Sequence, residues 1–314
     1  MVVLRDGNEA RYEPRISSLS MFCAVAEEGS FSLAAARLGV TQPAVSQQIK
    51  RLEVDYGTKL LHRNASTVVP TEDGSIVYGY ATQIVHLYQR SKQALHEARS
   101  RDVSGTLTIG ASTGLGEFLL PTALARFVAE YPNAHLSMHV GDSNEILDRI
   151  LQHRSEIGFV GVTRRDNHLR FDPFICDRLV LTVPPTDDLA RHRSIDLNTF
   201  VELPLILQQP GSGATAALSA ALSAEGVCLA DLNIVMECGL QESTKTAVRS
   251  GLGATVISRL GIVGELCDQT LVEIEVEGLG LQHDFHVAYH RDWPPTRLAD
   301  AFVRYARKVA RQHQ

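Results

Sequence analysis

A chain of 314 residues, 44% of them hydrophobic, is long enough for two or three ordinary globular domains. The formal charge is −6, but residues 1–70 carry eight Lys and Arg against seven Asp and Glu, so the acidic excess lies beyond them; any nucleic-acid binding must rest on placed contacts and paired sites rather than bulk charge. The absence of any run of 18 apolar residues excludes a membrane-spanning helix, and five scattered cysteines without Cys-x-x-Cys or Cys/His spacing exclude a zinc module and leave reduced thiols as the expectation.

Residues 1–15 are polar and charged. They read as a disordered arm without a signal peptide, so a cytoplasmic location is expected. Residues 16–28 form a first helix with Leu19, Phe22, Val25 and Ala26 inward. From Ser30 to Glu53 the chain reads as two short helices joined by a Gly39-Val40 turn. Ser32 is placed to cap the first and Thr41 the second, with Pro43 in a first turn that needs no N–H from it. Val45, Ile49 and Leu52 make one buried stripe, which leaves Gln42, Ser46, Gln47 and Lys50 outward. Such a helix suits a DNA major groove. Gln bonds adenine bidentately, Ser bonds either kind of base edge, and Lys reaches phosphate or guanine. Leu60 to Pro70 reads as a hairpin wing, with His62 and Arg63 near the backbone.

Thr71 to Arg101 is a long helix, capped by Thr71, with Glu72 and Asp73 at its positive end. Val77, Ile84 and Ala98 match one heptad position, and Tyr80, Leu87 and Ala94 the other; Ser91 interrupts the first seam. The stripe predicts a dimer seam through Val77, Tyr80, Ile84 and Leu87. From Ser104 strands and helices alternate. Strands are expected at 107–110, 135–140, 156–160, 179–183, 205–207, 254–257 and 285–289. Helices are expected at 115–130, 144–152, 214–224, 243–249 and 298–310. The alternation predicts parallel sheets covered by helices.

The run T-Q-P-A-V-S-Q-Q-I-K-R-L-E, Thr41 to Glu53, resembles the N-terminal helix-turn-helix of LysR-type transcriptional regulators, and the resemblance extends from about Ser17 to Gln314. It implies a winged helix-turn-helix over 16–70, a linker dimerisation helix over 71–102, and an effector-binding α/β domain over 103–314. That domain would have two Rossmann-like lobes, as in periplasmic binding proteins. Lobe I would take about 103–178 and 280–314, and lobe II about 179–279. The implied DNA-binding set is Ser32, Thr41, Gln42, Pro43, Ser46, Gln47, Lys50 and Arg63. The implied partners are double-stranded promoter DNA, a small-molecule effector, and further copies of the chain in a homodimer or homotetramer. The wing departs from the family pattern: it reads N-A-S-T-V-V-P-T, poor in basic residues.

Open α/β sheets bind ligands at strand C-terminal ends, where helix N-termini offer free N–H groups. Four segments qualify: Ala111-Ser112-Thr113-Gly114, Gly161-Val162-Thr163, Gln208 to Gly213, and Gly239 to Glu242. The expected effector set is Ser112, Thr113, Thr163, Gln209, Ser212, Gly213 and Gln241, and its chemistry favours an anion. The 109–121 and 173–184 segments are similar to the sulfur-assimilation and carbon-fixation branch of the family, which makes an inorganic sulfur oxyanion one candidate. Gln209 and Thr215 stand where one branch carries an acid and an Arg, so a branch-specific anion does not transfer directly. His168, His192, His283 and His286 show no ligand spacing and read as solvated or core histidines. No metal or cofactor is expected. The rival functions are a Rossmann-like enzyme, for which no G-x-G-x-x-G or P-loop motif exists, and a plain solute-binding protein.

Overall fold

The computed structural model describes residues 16–63, 67–99 and 102–312. The predicted arm at 1–15 and the side chains of Arg63 and Ala98 lie outside the described set. The chain divides into two compact units, Met1–Ala98 and Arg99–Gln314.

The first unit is helical. Helices α1 (Ile16–Glu28), α2 (Phe31–Leu38) and α3 (Gln42–Tyr56) are followed by a hairpin of β1 (Leu61–Arg63) and β2 (Val68–Pro70), then by α4 (Glu72–Arg99). The core is apolar and local: Leu19, Phe22 and Val25 of α1 meet Ala34 and Ala35 of α2, Val45, Ile49 and Leu52 of α3, and Ala81 of α4. Cys23 and Ala24 are buried in place of Ala26, which is half-exposed. The cap of α2 is Ser30, not Ser32. Ser30 has the extended backbone an N-cap requires, and its side chain accepts the Leu33 N–H at 3.4 Å. Gly39, at φ 66°, ends that helix in the left-handed conformation that costs a Cβ-bearing residue energy. Thr41 is the N-cap of α3, but its side chain makes no capping bond. Thr71 does cap α4, accepting the Gly74 N–H at 2.9 Å.

Along α4 the expected seam divides. Val77 leaves it, packing half-buried against the helical core with Tyr78 and Val85. The helix drifts about 20° per heptad against a strict 3.5-residue repeat, so the side facing the core takes Val77 as well as Ala81. Tyr80, Ile84 and Leu87 remain exposed, as do Ile76, Tyr88 and Leu95.

The second unit contains, in chain order, β3 (Gly105–Ser112), α5 (Thr113–Phe118), α6 (Leu120–Glu130), β4 (Ala134–Gly141), α7 (Ser143–Leu151), β5 (Ile157–Val160), β6 (Leu169–Val183), β7 (Ser194–Ile195), α8 (Leu197–Glu202), β8 (Leu205–Gln208), α9 (Gly213–Ala224), β9 (Ile234–Cys238), α10 (Gln241–Arg249), β10 (Ala254–Ser258), α11 (Val263–Cys267), β11 (Val272–Val276), β12 (Gln282–His290) and α12 (Arg297–Ala310). The single helix expected over 115–130 is two, broken at Leu119. Pro121 is tolerated because it falls in the first turn of α6, where its missing N–H has no partner to lose.

The sheet runs β4-β3-β5-β12-β6-β10-β8-β9, with β11 pairing β6 and β7. It is mixed rather than parallel. β4-β3-β5 and β10-β8-β9 are parallel, whereas β12 is antiparallel to β5 and β6, and β10 is antiparallel to β6. The reason is the double crossing. β6 leaves lobe I and enters lobe II without interruption, β12 returns, and each brings its direction against its neighbours. Lobe I packs Leu107, Phe127, Phe159 and Phe302 in its centre, and lobe II packs Leu181, Phe200, Leu205 and Leu222. None of the five cysteines forms a disulfide with another described residue.

Candidate functional site

In the helical unit the outer side of α3 presents Gln42, Pro43, Gln47 and Lys50 to solvent, with Ser46 half-exposed between them; Thr41 and Ser32 are exposed too. The opposite side is buried through Val45, Ile49 and Leu52. Two polar contacts that sequence reasoning missed hold this geometry. Ser18 Oγ donates to Gln48 Oε1 at 3.0 Å, pinning α3 to α1. Glu53 is buried at the end of α3, where it accepts the Leu60 N–H at 3.2 Å and pairs with Lys59 Nζ at 2.8 Å. A buried carboxylate so paired fixes the turn from α3 into the wing. Gly74 seals the same corner, because a Cβ there would lie 1.9 Å from Leu60 O. Arg37 is tied to Glu27 and Glu28, and the Tyr78 hydroxyl also donates to Glu27.

In the second unit the two lobes face each other at the ends of parallel strands, and the expected segments converge there in part. Ser112 ends β3 and Thr113 opens α5, both buried. From lobe II, Ser212 precedes α9; its Oγ donates to Gln208 Oε1 at 2.5 Å. The lobes touch at glycines. A Cβ on Gly213 would lie 2.9 Å from Gly161 Cα and 2.7 Å from His283 Nε2. A Cβ on Gly114 would lie 3.2 Å from Gln241 Nε2 and 3.3 Å from the Phe285 ring. His283 and Phe285, adjacent along one side of β12 with ring centroids 4.2 Å apart, therefore form the floor. Gln209 sits beside Gly239, and Thr163 is exposed. Glu117 of lobe I reaches across to the N-terminus of α10, accepting the Gln241 and Glu242 N–H groups at 3.4 and 3.3 Å. Burial raises the Glu117 carboxyl above its usual range, while those two amides pull it back down.

The decisive property of this cleft is unmet hydrogen bonding. Ser112 Oγ, Gln208 Nε2, Gln241 Oε1 and both ring nitrogens of His283 are buried without a well-formed hydrogen bond. Burial lowers the His283 imidazole to about 4, against partial support from the Gly161 backbone and Asp284, so the ring is neutral at pH 7. Buried polar groups are nearly always satisfied, and a cluster that is not marks a place built for a ligand's polar atoms. Sequence reasoning read His283 as an ordinary solvated or core residue. Its alternation with Phe285 on a strand was the available signal, but the glycines it meets lie 122 and 70 positions earlier in the chain.

Among the described residues, no helix is long and apolar enough to cross a membrane. Residues 16–75 match the family described as "Bacterial regulatory helix-turn-helix protein, lysR family", and residues 100–311 match "LysR substrate binding domain". The HTH-type transcriptional regulator CysL of Bacillus subtilis is 30% identical over 285 residues, covering 91% of this chain and 94% of the relative. Among solved structures, a full-length OxyR variant from Pseudomonas aeruginosa superposes with a TM-score of 0.75 at 19% identity, covering 96% of this chain and 97% of that one. Full-length CbnR complexed with its target DNA gives a TM-score of 0.67 at 19% identity, covering 96% of this chain and all of that one. With helix-turn-helix and ligand-cleft unit both matched across nearly the whole length, the chain belongs to the LysR family of DNA-binding transcriptional regulators.

Proposed function

We propose that this regulator acts in the cytoplasm as a homodimer or homotetramer, reads paired promoter half-sites with α3, and alters its grip on DNA when a small anionic metabolite enters the cleft between its lobes. Gln42, Ser46 and Gln47 read base edges, while Lys50, Thr41, Ser32 and Arg63 meet the backbone, with Pro43 shaping the entry of α3. The exposed stripe of Tyr80, Ile84 and Leu87, extended by Ile76 and Leu95, covers itself against a second copy. The effector role rests on one observation, the unmet polar atoms of Ser112, Gln208, Gln241 and His283 around the Gly161–Gly213 contact.

An anion is favoured because the cleft receives the N-termini of α9 and α10, whose amides carry partial positive charge. Glu117 already sits at one of them, so an anionic ligand replaces a carboxylate that burial penalises. Ser112, Thr113, Thr163, Gln209, Ser212, Gly213 and Gln241 are its expected contacts. Inorganic sulfur oxyanions are the first class to try, with small carboxylates next. No catalytic role is assigned to any residue. Footprinting of the DNA upstream of the gene with sulfate, sulfite, phosphate and small carboxylates, paired with calorimetry, tests both halves. An anion-dependent footprint change is expected. A ligand that proves neutral or cationic overturns the anion assignment, and turnover of any ligand overturns the regulator-only reading.

A further inference from the structure

We propose that lobe I carries a second site, for a late first-row divalent cation, formed by His168, His290 and Asp292. One possible ligand atom from each of these residues lies within 4.8 Å of the others. The backbone brings them together. β6 and β12 pair antiparallel with Leu169 opposite His290, and the Arg291 N–H donates to His168 O at 2.6 Å just past the strand end. Two histidines 122 positions apart thus become neighbours, which is why no spacing in the sequence announces them. The side chains already lean together. His168 Nδ1 is 3.3 Å from Asp292 Oδ2, and the Asp292 N–H points at His290 Nδ1, also 3.3 Å away.

Two imidazoles and a carboxylate form a mixed nitrogen and oxygen set. Such a set suits Zn²⁺, Ni²⁺ or Cu²⁺ and is wrong for Mg²⁺ or Ca²⁺, which demand oxygen ligands. With zinc bonds of about 2.0–2.1 Å, tetrahedral ligand atoms stand roughly 3.4 Å apart. The donors must close in by up to about 1.4 Å, and the His168 and Asp292 side chains, 64% and 63% exposed, have the freedom to do so. Water completes the coordination. The cation would clamp the first residues of the strand that leaves lobe I to the last residues of the strand that returns.

The site also holds its own reporter. Trp293 is the sole tryptophan of the chain. Its ring lies 5.7 Å from that of His290, and it stacks on His153 at 3.5 Å and 11°. A paramagnetic ion bound at His290 must quench its fluorescence. The experiment titrates Ni²⁺ into the full-length chain, made without a histidine tag and stripped with chelator, while Trp293 emission is recorded. Saturable quenching at one ion per chain is expected. Zn²⁺ should compete it away and raise Tm, and millimolar Mg²⁺ should do neither. His168→Ala combined with Asp292→Asn should weaken the quenching by more than about tenfold, since even outer-shell partners of metal ligands are worth 10–100-fold. His192→Ala should leave it unchanged. Quenching that never saturates, or that survives the double substitution undiminished, overturns the proposal.

Discussion

The two units of this regulator treat buried polar atoms in opposite ways. In the helical unit, Ser18 is bonded to Gln48, and Glu53 is bonded to Leu60 and Lys59. In the α/β unit, Ser112, Gln208, Gln241, His283 and His286 each bury at least one polar atom without a hydrogen-bond partner. Among the described residues every such orphan lies in the second unit. The first unit is finished by folding, and its chemistry lies outward on α3. The second keeps polar atoms without protein partners where its lobes meet, an arrangement that suits the polar atoms of a ligand. An orphaned buried polar group costs about 1–3 kcal/mol, so several together imply substantial stabilisation on ligand binding.

The sharpest way to separate the units is Leu87→Asp on α4. Leu87 is 50% exposed in the single chain, and a carboxylate there would face its counterpart across the proposed seam. Loss of paired half-site binding is expected in a gel shift, with sedimentation showing a smaller particle. Calorimetric ligand affinity should be unchanged, since the cleft lies wholly in the second unit. An intact footprint would place the seam elsewhere.

Acid should expose the second unit next. His283 is held at about 4 by burial, against about 6.5 in an unfolded chain. The unfolded form therefore binds the extra proton first. Stability is full above pH 6.5, falls as pH drops through the window from about 6.5 to 4, and levels off below. The total is about 3 kcal/mol. His86 on α4 is lowered to about 4 as well, by burial and by Arg90, so the share owed to the cleft is the part that His283→Leu removes in denaturant titrations at pH 7 and pH 4.5. A pH dependence identical in His283→Leu would mean that the ring is hydrated.

On α3, Gln47→Ala should cost roughly 1–3 kcal/mol at the cognate site and relax preference at one base. Lys50→Ala should weaken binding to all sequences and reduce the salt slope by about 1. Competition binding against scrambled DNA distinguishes the two effects. Equal losses on cognate and scrambled DNA would remove Gln47 from base reading.

The smallest effect is the most pointed, because it applies one substitution to both units. Ser18→Ala strands Gln48 and should lower stability by about 1 kcal/mol. Ser112→Ala removes a hydroxyl that has no partner, so apo stability should hold or rise slightly while ligand affinity falls. Thermal melts with and without ligand read both. A destabilised apo Ser112→Ala would show that the hydroxyl is satisfied by water and is not reserved for a ligand.

Much of this was legible in the sequence where structure is local. The α1 boundaries, the α3 stripe, the wing and the Thr71 cap follow from spacing, caps and turn residues within a few positions of one another. The first ten residues of β6 were missed because Pro173 argues against a strand. In the fold Pro173 pairs with His286 at the bulge between Phe285 and His286, where the ladder is already interrupted. β7 has only two residues and shows no period, whereas β11 alternates as V-E-I-E-V and was missed despite that signal. Strand direction is not written in any single segment, so the antiparallel entries of β6 and β12 could not be read. The cleft followed the same division. Its helix starts were visible as loop segments, while its floor, His283 and Phe285, needs the pairing of β12 with strands more than 100 residues away.

The position of β12 also sets an order of assembly. Every strand of the lobe II sheet lies between Leu179 and Val276, so that sheet is complete once Val276 has left the ribosome. Lobe I begins earlier and finishes later. Its sheet is completed by β12, lodged between β5 and β6, and its core takes Leu298, Phe302, Ala306 and Val309 from α12. Synthesised from the N-terminus, the lobe that starts first must wait, with the Leu107 and Phe127 surfaces uncovered, until β12 and α12 have been made. Truncation just before Gln282 would therefore leave lobe II with all its strands and lobe I open, making β12 and α12 the step at which lobe I closes.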